Sequence, residues 1–125
     1  MLFQLGEFVG AAGQPLPFKI ECDKLTRNEW RCIAEYAHDK LPPFGQARGV
    51  PRSGDKLAEL LNIHRRPNCR TVLIVDDVWT TGESLRAFAD DYIQRHRWAK
   101  DWIGFVAFAR QRLPIKVRCF MQLMI

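Results

Sequence analysis

The spacing of apolar and polar positions changes several times along this chain, and each change predicts an element. Thr71-Val-Leu-Ile-Val75 is a run of five residues, four of them β-branched and all but Thr71 apolar. Unbroken runs of this kind belong to strands buried on both faces of a parallel sheet. Asp76 and Asp77 follow directly, then Thr80, Thr81, Gly82 and Ser84. Beyond Gly82 the period becomes helical, with Leu85, Phe88, Ala89, Tyr92 and Ile93 at core spacing to about His96. Earlier, Thr26-Arg-Asn-Glu29 has the form of a capping box. Trp30, Ile33, Ala34, Ala37 and Leu41 then share one helical face, and the helix should end near Lys40, before Pro42-Pro43.

Shorter signals fill the rest. Residues 1–17, punctuated by Gly6, Gly10, Gly13, Pro15 and Pro17, predict short strands and turns. Phe18 to Cys22 alternates like an edge strand. Phe44 to Val50 predicts a short strand, Gly49 to Gly54 a tight loop, and Asp55 to about Asn62 a helix with Leu57, Leu60 and Leu61 inward. His64 to Arg70 is a basic turn; Trp102–Phe108 and Lys116–Leu123 are closing strands around a turn at Pro114. Strands alternating with helices through short connections predict a single α/β domain over residues 1–125, a mostly parallel sheet flanked by helices. Ligands on such sheets sit beyond the carboxyl ends of the strands. Both the 49–54 loop and the 76–84 turn fall there.

Composition narrows the partners more than the fold. No apolar run is long enough to span a bilayer, and no basic region followed by an apolar core opens the chain, so a cytoplasmic location is expected. Cys22, Cys32, Cys69 and Cys119 form no Cys-x-x-Cys pair, which argues against zinc and against a disulfide framework. The net charge of +5 is clustered, at His64-Arg65-Arg66 with Arg70, at Arg95-His96-Arg97 with Lys100, and at Arg110, Arg112, Lys116 and Arg118. Such clusters favour an anionic partner, either a phosphorylated small molecule or nucleic acid.

The chemistry centres on residues 76–84. Backbone N–H groups from Thr80 to Ser84, at a helix N-terminus, suit a phosphate group. Gly82 permits close approach, and Thr80, Thr81 and Ser84 add hydroxyl donors. Ionised Asp76 and Asp77 accept only, which suits sugar hydroxyls or a hydrated Mg²⁺ carried by a polyphosphate. No Cys–His or Ser–His arrangement competes. Gly49-x-x-x-x-Gly54 approaches a triphosphatase phosphate loop, but Asp55 stands where that loop needs Lys and would set a carboxylate against a phosphate.

Val75-Asp-Asp-Val-Trp-Thr-Thr-Gly-Glu-Ser84 resembles the phosphoribosyl diphosphate (PRPP) loop of type I phosphoribosyltransferases. The resemblance implies that Asp76 and Asp77 are the ribose-facing, catalytic and Mg²⁺-associated acids, acting on the metal through water. It implies equally that Thr80, Thr81, Gly82 and Ser84 are the 5′-phosphate cradle. Gly49-Val-Pro-Arg-Ser-Gly54 is similar to that family's pyrophosphate loop, which sets Arg52 and Gly54 against the diphosphate. Phe18-Lys-Ile-Glu-Cys-Asp-Lys-Leu25 looks like a segment of the orotate branch, where an Asp takes the position of Glu21.

The implied activity is Mg²⁺-dependent transfer of a phosphoribosyl group from PRPP to a nucleobase, an orotate-like pyrimidine favoured, with release of pyrophosphate. A typical member carries a further strand and a long flexible closing loop between the two motifs, whereas only Asp55 to Arg70 separate them here. Water exclusion and extra positive charge would then fall to Arg65 and Arg66, or to a neighbouring subunit in a homodimer. The alternative is a non-catalytic PRPP- or nucleotide-sensing protein whose basic clusters bind RNA. The position of Arg65, Arg66, Arg95 and Arg97 separates the two: beside the site they favour catalysis, away from it nucleic acid.

Overall fold

Side-chain alternation in the strand Thr71–Trp79 sets the layers of the molecule. Leu73 and Val75 point into one apolar cluster, Val72 and Ile74 into another, and all four are fully buried. The computed structural model describes residues 3–9, 15–20 and 22–123. In chain order these hold β1 (Phe3–Val9), β2 (Pro15–Ile20), α1 (Arg27–Lys40), β3 (Gln46–Gly49) and α2 (Asp55–Leu61). There follow β4 (Thr71–Trp79), α3 (Glu83–Arg95), β5 (Asp101–Ala109) and β6 (Val117–Gln122). Short 3₁₀ turns lie at Cys22–Lys24 and Asn62–His64.

β3, β4, β5 and β6 form an all-parallel sheet in that order. On one face α1 and α2 bury Trp30, Ile33, Ala34, Ala37, Leu57, Ala58 and Leu61 against Leu73, Val75, Phe105 and Ala107. On the other, α3 buries Leu85, Ala89 and Tyr92 against Val72, Ile74 and Val106. At about 1.5–3 kcal/mol for each large apolar side chain buried, these two layers dominate the fold's stabilisation. The predicted architecture is thus the observed one, and so is the capping box. Thr26 N–H donates to Glu29 Oε1 at 2.8 Å, and Glu29 N–H donates to Thr26 Oγ1 at 3.2 Å.

Three details depart from the sequence pattern. The strand expected over Phe18–Cys22 lies at Pro15–Ile20 and pairs antiparallel with β1, in a ribbon separate from the main sheet. A two-stranded ribbon leaves each strand one free edge, where the N–H that proline lacks is not needed. Glu21, the basis of the orotate-branch likeness, lies outside the described residues. β4 does not end at Val75 but continues through both acids to Trp79, because β5 runs beside it as far as Ala109. Finally, α2 and α3 connect successive strands that step across the sheet in the same direction, yet they lie on opposite faces. Their two crossovers therefore have opposite hands, against the strong preference for right-handed connections.

Among the described residues no strand lies beside the outer edge of β3. Instead the Asn62 carboxamide pairs with Ala47 as a strand would, accepting from its N–H at 2.8 Å and donating to its carbonyl at 3.0 Å. Arg66 N–H continues the cover by donating to Phe44 O at 2.8 Å. Asn62→Ala is expected to destabilise the protein by about 1–3 kcal/mol, since it strands two backbone groups of a buried residue. A urea midpoint equal to that of the parent would refute this role for the side chain. No helix among the described residues is long and apolar enough to cross a membrane.

Candidate functional site

β3 stops at Gly49, level with Val75, while β4 and β5 run on. That difference in length opens a notch beside the last part of β4, and the 50–54 turn fills it. Val50 N–H donates to Val75 O and Gly54 N–H to Val50 O, both at 2.8 Å. A Cβ on Gly54 would lie 2.1 Å from Val75 O, so the turn closes onto the strand only because that residue is glycine. The Pro51–Arg52 peptide bond is cis. Ser53 Oγ then donates to Asp76 Oδ1 at 2.6 Å, tying the turn to the acid pair.

Asp76 is the buried polar residue of the described core, with 6% of its surface exposed. Its Oδ1 also accepts from Asp77 N–H at 2.8 Å, while Asp77 Oδ1 accepts from Val78 N–H at 2.7 Å. Burial, then the Asp76 charge and a hydrogen bond with it, push the Asp77 carboxyl up to about 7, against the weaker opposing pull of the Val78 amide. Near neutrality, then, this acid is poised between a neutral and an anionic form.

Thr80, Thr81 and Gly82 turn the chain from β4 into α3. Gly82 has φ 82°, and a Cβ there would meet the Trp79 ring at 2.1 Å. The sequence assigns Gly82 to close approach of a ligand; the structure adds that the turn itself requires it. Arg86 N–H donates to Gly82 O at 3.0 Å, and Glu83 N–H faces Thr81 Oγ1 at 3.4 Å. The amides of the first turn of α3 have no carbonyl partner within the helix. They open on a depression of ≈ 320 Å³ whose lining includes Asp76, Thr80, Thr81, Gly82 and Ser84. The structure thus brings together Asp76, Thr80, Thr81, Gly82 and Ser84 and, through Ser53, the turn bearing Arg52 and Gly54; Asp77 neighbours Asp76 on the strand but is not part of that lining. Arg52 itself is exposed on that turn.

Sequence reasoning passed over three contributors. Ser53 is a hydroxyl inside a glycine-bracketed turn, a signal present in the sequence but not weighed. Trp79 floors the cradle, and Arg86 lies over its ring with Cζ 5.3 Å from the centroid. That cation is one helical turn past Gly82, a spacing that only a known helix start makes legible. Arg65 and Arg66, expected to supply positive charge at this site, are elsewhere. They precede β4, whose rise of about 3.3 Å per residue puts them on the order of 20 Å from the acids. The 55–70 interval is too short to carry them round to the far end of the strand once α2 and the Asn62–His64 turn have formed.

No protein-family model and no curated protein matches the chain. Solved structures do. Orotate phosphoribosyltransferase from Aeropyrum pernix superposes with a TM-score of 0.76 at 17% identity, over 97% of this chain and 88% of that one. The orotate phosphoribosyltransferase of Francisella tularensis gives 0.64 at 17% identity, over 97% and 80%. The xanthine-guanine-hypoxanthine phosphoribosyltransferase of Helicobacter pylori gives 0.54 at 14% identity, over 79% and 83%. The chain therefore has the α/β fold of the type I phosphoribosyltransferases. It is a compact version, in which β3 and β4 are joined by one short helix and a turn.

Proposed function

We propose that this protein binds PRPP with Mg²⁺ and transfers its phosphoribosyl group to a nucleobase, an orotate-like pyrimidine before a purine. The observation that carries the reading is the Ser53–Asp76 bond, which locks two anion-suited turns to either side of a buried carboxylate. A ligand with phosphate at both ends and a diol between them matches that order. The 5′-phosphate falls to the amides and hydroxyls of Thr80 to Ser84, the ribose hydroxyls to Asp76 and Asp77, and the diphosphate to Arg52 and the Gly54 turn.

Among the described residues no cluster of three or more metal-ligating side chains exists. Two carboxylates are too few for an all-protein Mg²⁺ cage but suit an ion that keeps its waters and rides on the ligand's phosphates. Bound there, Mg²⁺ supplies charge neutralisation of the departing diphosphate. The protein's own work is positioning and electrostatic: pyrophosphate leaves C1 of the ribose as a base nitrogen attacks from the opposite face, and no covalent nucleophile is required. Closure over the site falls to a second copy of the chain.

Two observations favour a second reading, a non-catalytic sensor of PRPP or a nucleotide: α2 and its 3₁₀ turn leave no closing segment between the two turns, and Arg65 and Arg66 lie at the opposite end of the sheet from the acids. Pyrophosphate release from PRPP and Mg²⁺, measured across a panel of nucleobases, decides between them. Release with orotate or another base supports transfer, and PRPP binding without release for any base overturns it. Arg52→Ala is expected to weaken PRPP and pyrophosphate about 10-fold or more, as loss of one charge-assisted contact, and ribose 5-phosphate much less. An equal loss for all three ligands would refute the diphosphate role.

A further inference from the structure

The end of the sheet opposite the candidate site is strongly basic. Segments 64–70 and 95–100 hold Arg65, Arg66, Arg70, Arg95, Arg97 and Lys100 and contain no Asp or Glu. With a net charge of +5 for the whole chain, the remainder is close to neutral, so the excess is concentrated here. The fold joins the two segments: Arg70 donates from Nε to Trp98 O at 3.0 Å and from Nη2 to Arg97 O at 3.2 Å. Lys100 N–H donates to Arg70 O at 2.8 Å. Arg95 is ion-paired with Asp91, while Arg65, Arg66, Arg97 and Lys100 are exposed and outside every ion pair among the described residues.

Within this basic surface lies an open depression of ≈ 430 Å³ lined by Gly45, Gln46, Arg65, Pro67 and Trp98. Trp98 is held there by its Nε1 donating to Tyr92 Oη at 3.2 Å, and its ring packs against Gly45, where a Cβ would stand 3.0 Å away. A fixed indole, a guanidinium, a proline ring and a carboxamide together offer stacking and hydrogen bonds to a flat heterocycle. Cations around them suit phosphates on either side. Neither element serves the phosphoribosyl site, which lies at the other end of β4.

We propose that this surface binds single-stranded RNA, one base seated against Trp98 and Arg65 and the flanking phosphates on Arg66, Arg97 and Lys100. Exposed aromatics among cations are how single strands are held, by stacking and backbone neutralisation. The charge density alone would also suit an anionic membrane, but a depression with hydrogen-bonding groups has no use there.

Fluorescence anisotropy of a labelled oligouridylate with the full chain tests this. With about three phosphates neutralised, log affinity should fall against log salt with a slope of about −2, a loss of roughly 20-fold between about 50 and 200 mM. Arg66→Gln with Arg97→Gln should flatten the slope by about 1.4 and weaken binding at least 10-fold at low salt. Asp76→Asn with Asp77→Asn should leave RNA affinity unaltered, which keeps this proposal separate from that for the phosphoribosyl site. Absence of binding at low salt, or binding unaffected by the arginine changes, would overturn it. So would capture by phosphatidylserine vesicles with none of the oligonucleotide.

Discussion

Asp76→Asn combined with Asp77→Asn is expected to abolish Mg²⁺-dependent PRPP binding. Each carboxylate exchanged for an amide removes a charged acceptor from a ribose hydroxyl or from the hydration shell of the metal. Hydrogen bonds to charged groups contribute about 1.5–3 kcal/mol each, so the pair should cost a factor of about 10² to 10⁴ in affinity. The substitution is also gentle. An Asn at position 76 keeps an Oδ1 able to accept from Ser53 Oγ and from the next backbone N–H, so the 50–54 turn remains tied to β4. Calorimetry with PRPP and Mg²⁺ reads the loss, and a melting temperature no lower than the parent's shows that the fold survives. Parent-like affinity in the double variant would remove the acids from the site.

The second large effect is on stability. Asp77 has an ordinary value of 3.8 and is raised to about 7 in the folded protein. Below about pH 4 it is protonated in both states and makes no difference. Between about 4 and 7 the unfolded chain has released the proton that the folded chain still holds, so stability falls as pH rises, and levels off above 7. At 1.36 kcal/mol per unit of pH, the loss across that window is on the order of 4 kcal/mol. Asp77→Asn alone should therefore be more stable than the parent at pH 8 by about that amount, and nearly equal to it at pH 4. Urea titrations at the two values check this; a difference independent of pH would rule out Asp77 as its source. The carboxyl that weakens the fold above neutrality is the one proposed to meet the ligand, and under that proposal its ionised form is the one that would bind. PRPP with Mg²⁺ should consequently bind about 10-fold tighter at pH 8 than at pH 6 in the parent. Phosphate groups titrate over part of the same range, so the Asp77→Asn variant is the necessary comparison.

Much of this was legible from residues alone, for local reasons. The capping box at Thr26 and Glu29, the apolar face from Trp30 to Ala37 and the buried run Val72–Val75 each depend on neighbours in sequence, and each was found where expected. The acids, the hydroxyls and Gly82 form one contiguous stretch, so proximity in the chain already placed them together. Where β4 ends was not legible. Val78 and Trp79 belong to the strand because Phe108 and Ala109 pair with them, and the sequence near residue 78 holds no sign of that pairing. The handedness conflict was equally invisible. It concerns on which face α2 and α3 settle, and that is a property of the assembled sheet. A strand added outside β3 would reverse the step taken through α2 and restore a common hand. The opposed crossovers therefore fit the shortness of the 55–70 interval, and Asn62 occupies the edge that such a strand would use.

By itself, then, the sequence determined the fold class, most of the elements and the contiguous run of acids, hydroxyls and Gly82, because strand burial, helix period and turn chemistry act over a few residues. Only the tertiary structure decided what stands beside what. Parallel register brought Ser53 onto Asp76 and raised Asp77 by burying it against a like charge. The same register carried Arg65 and Arg66 to the opposite end of the sheet. Residues a few positions apart along a parallel strand are separated by its full rise, whereas residues 23 apart can meet across its end.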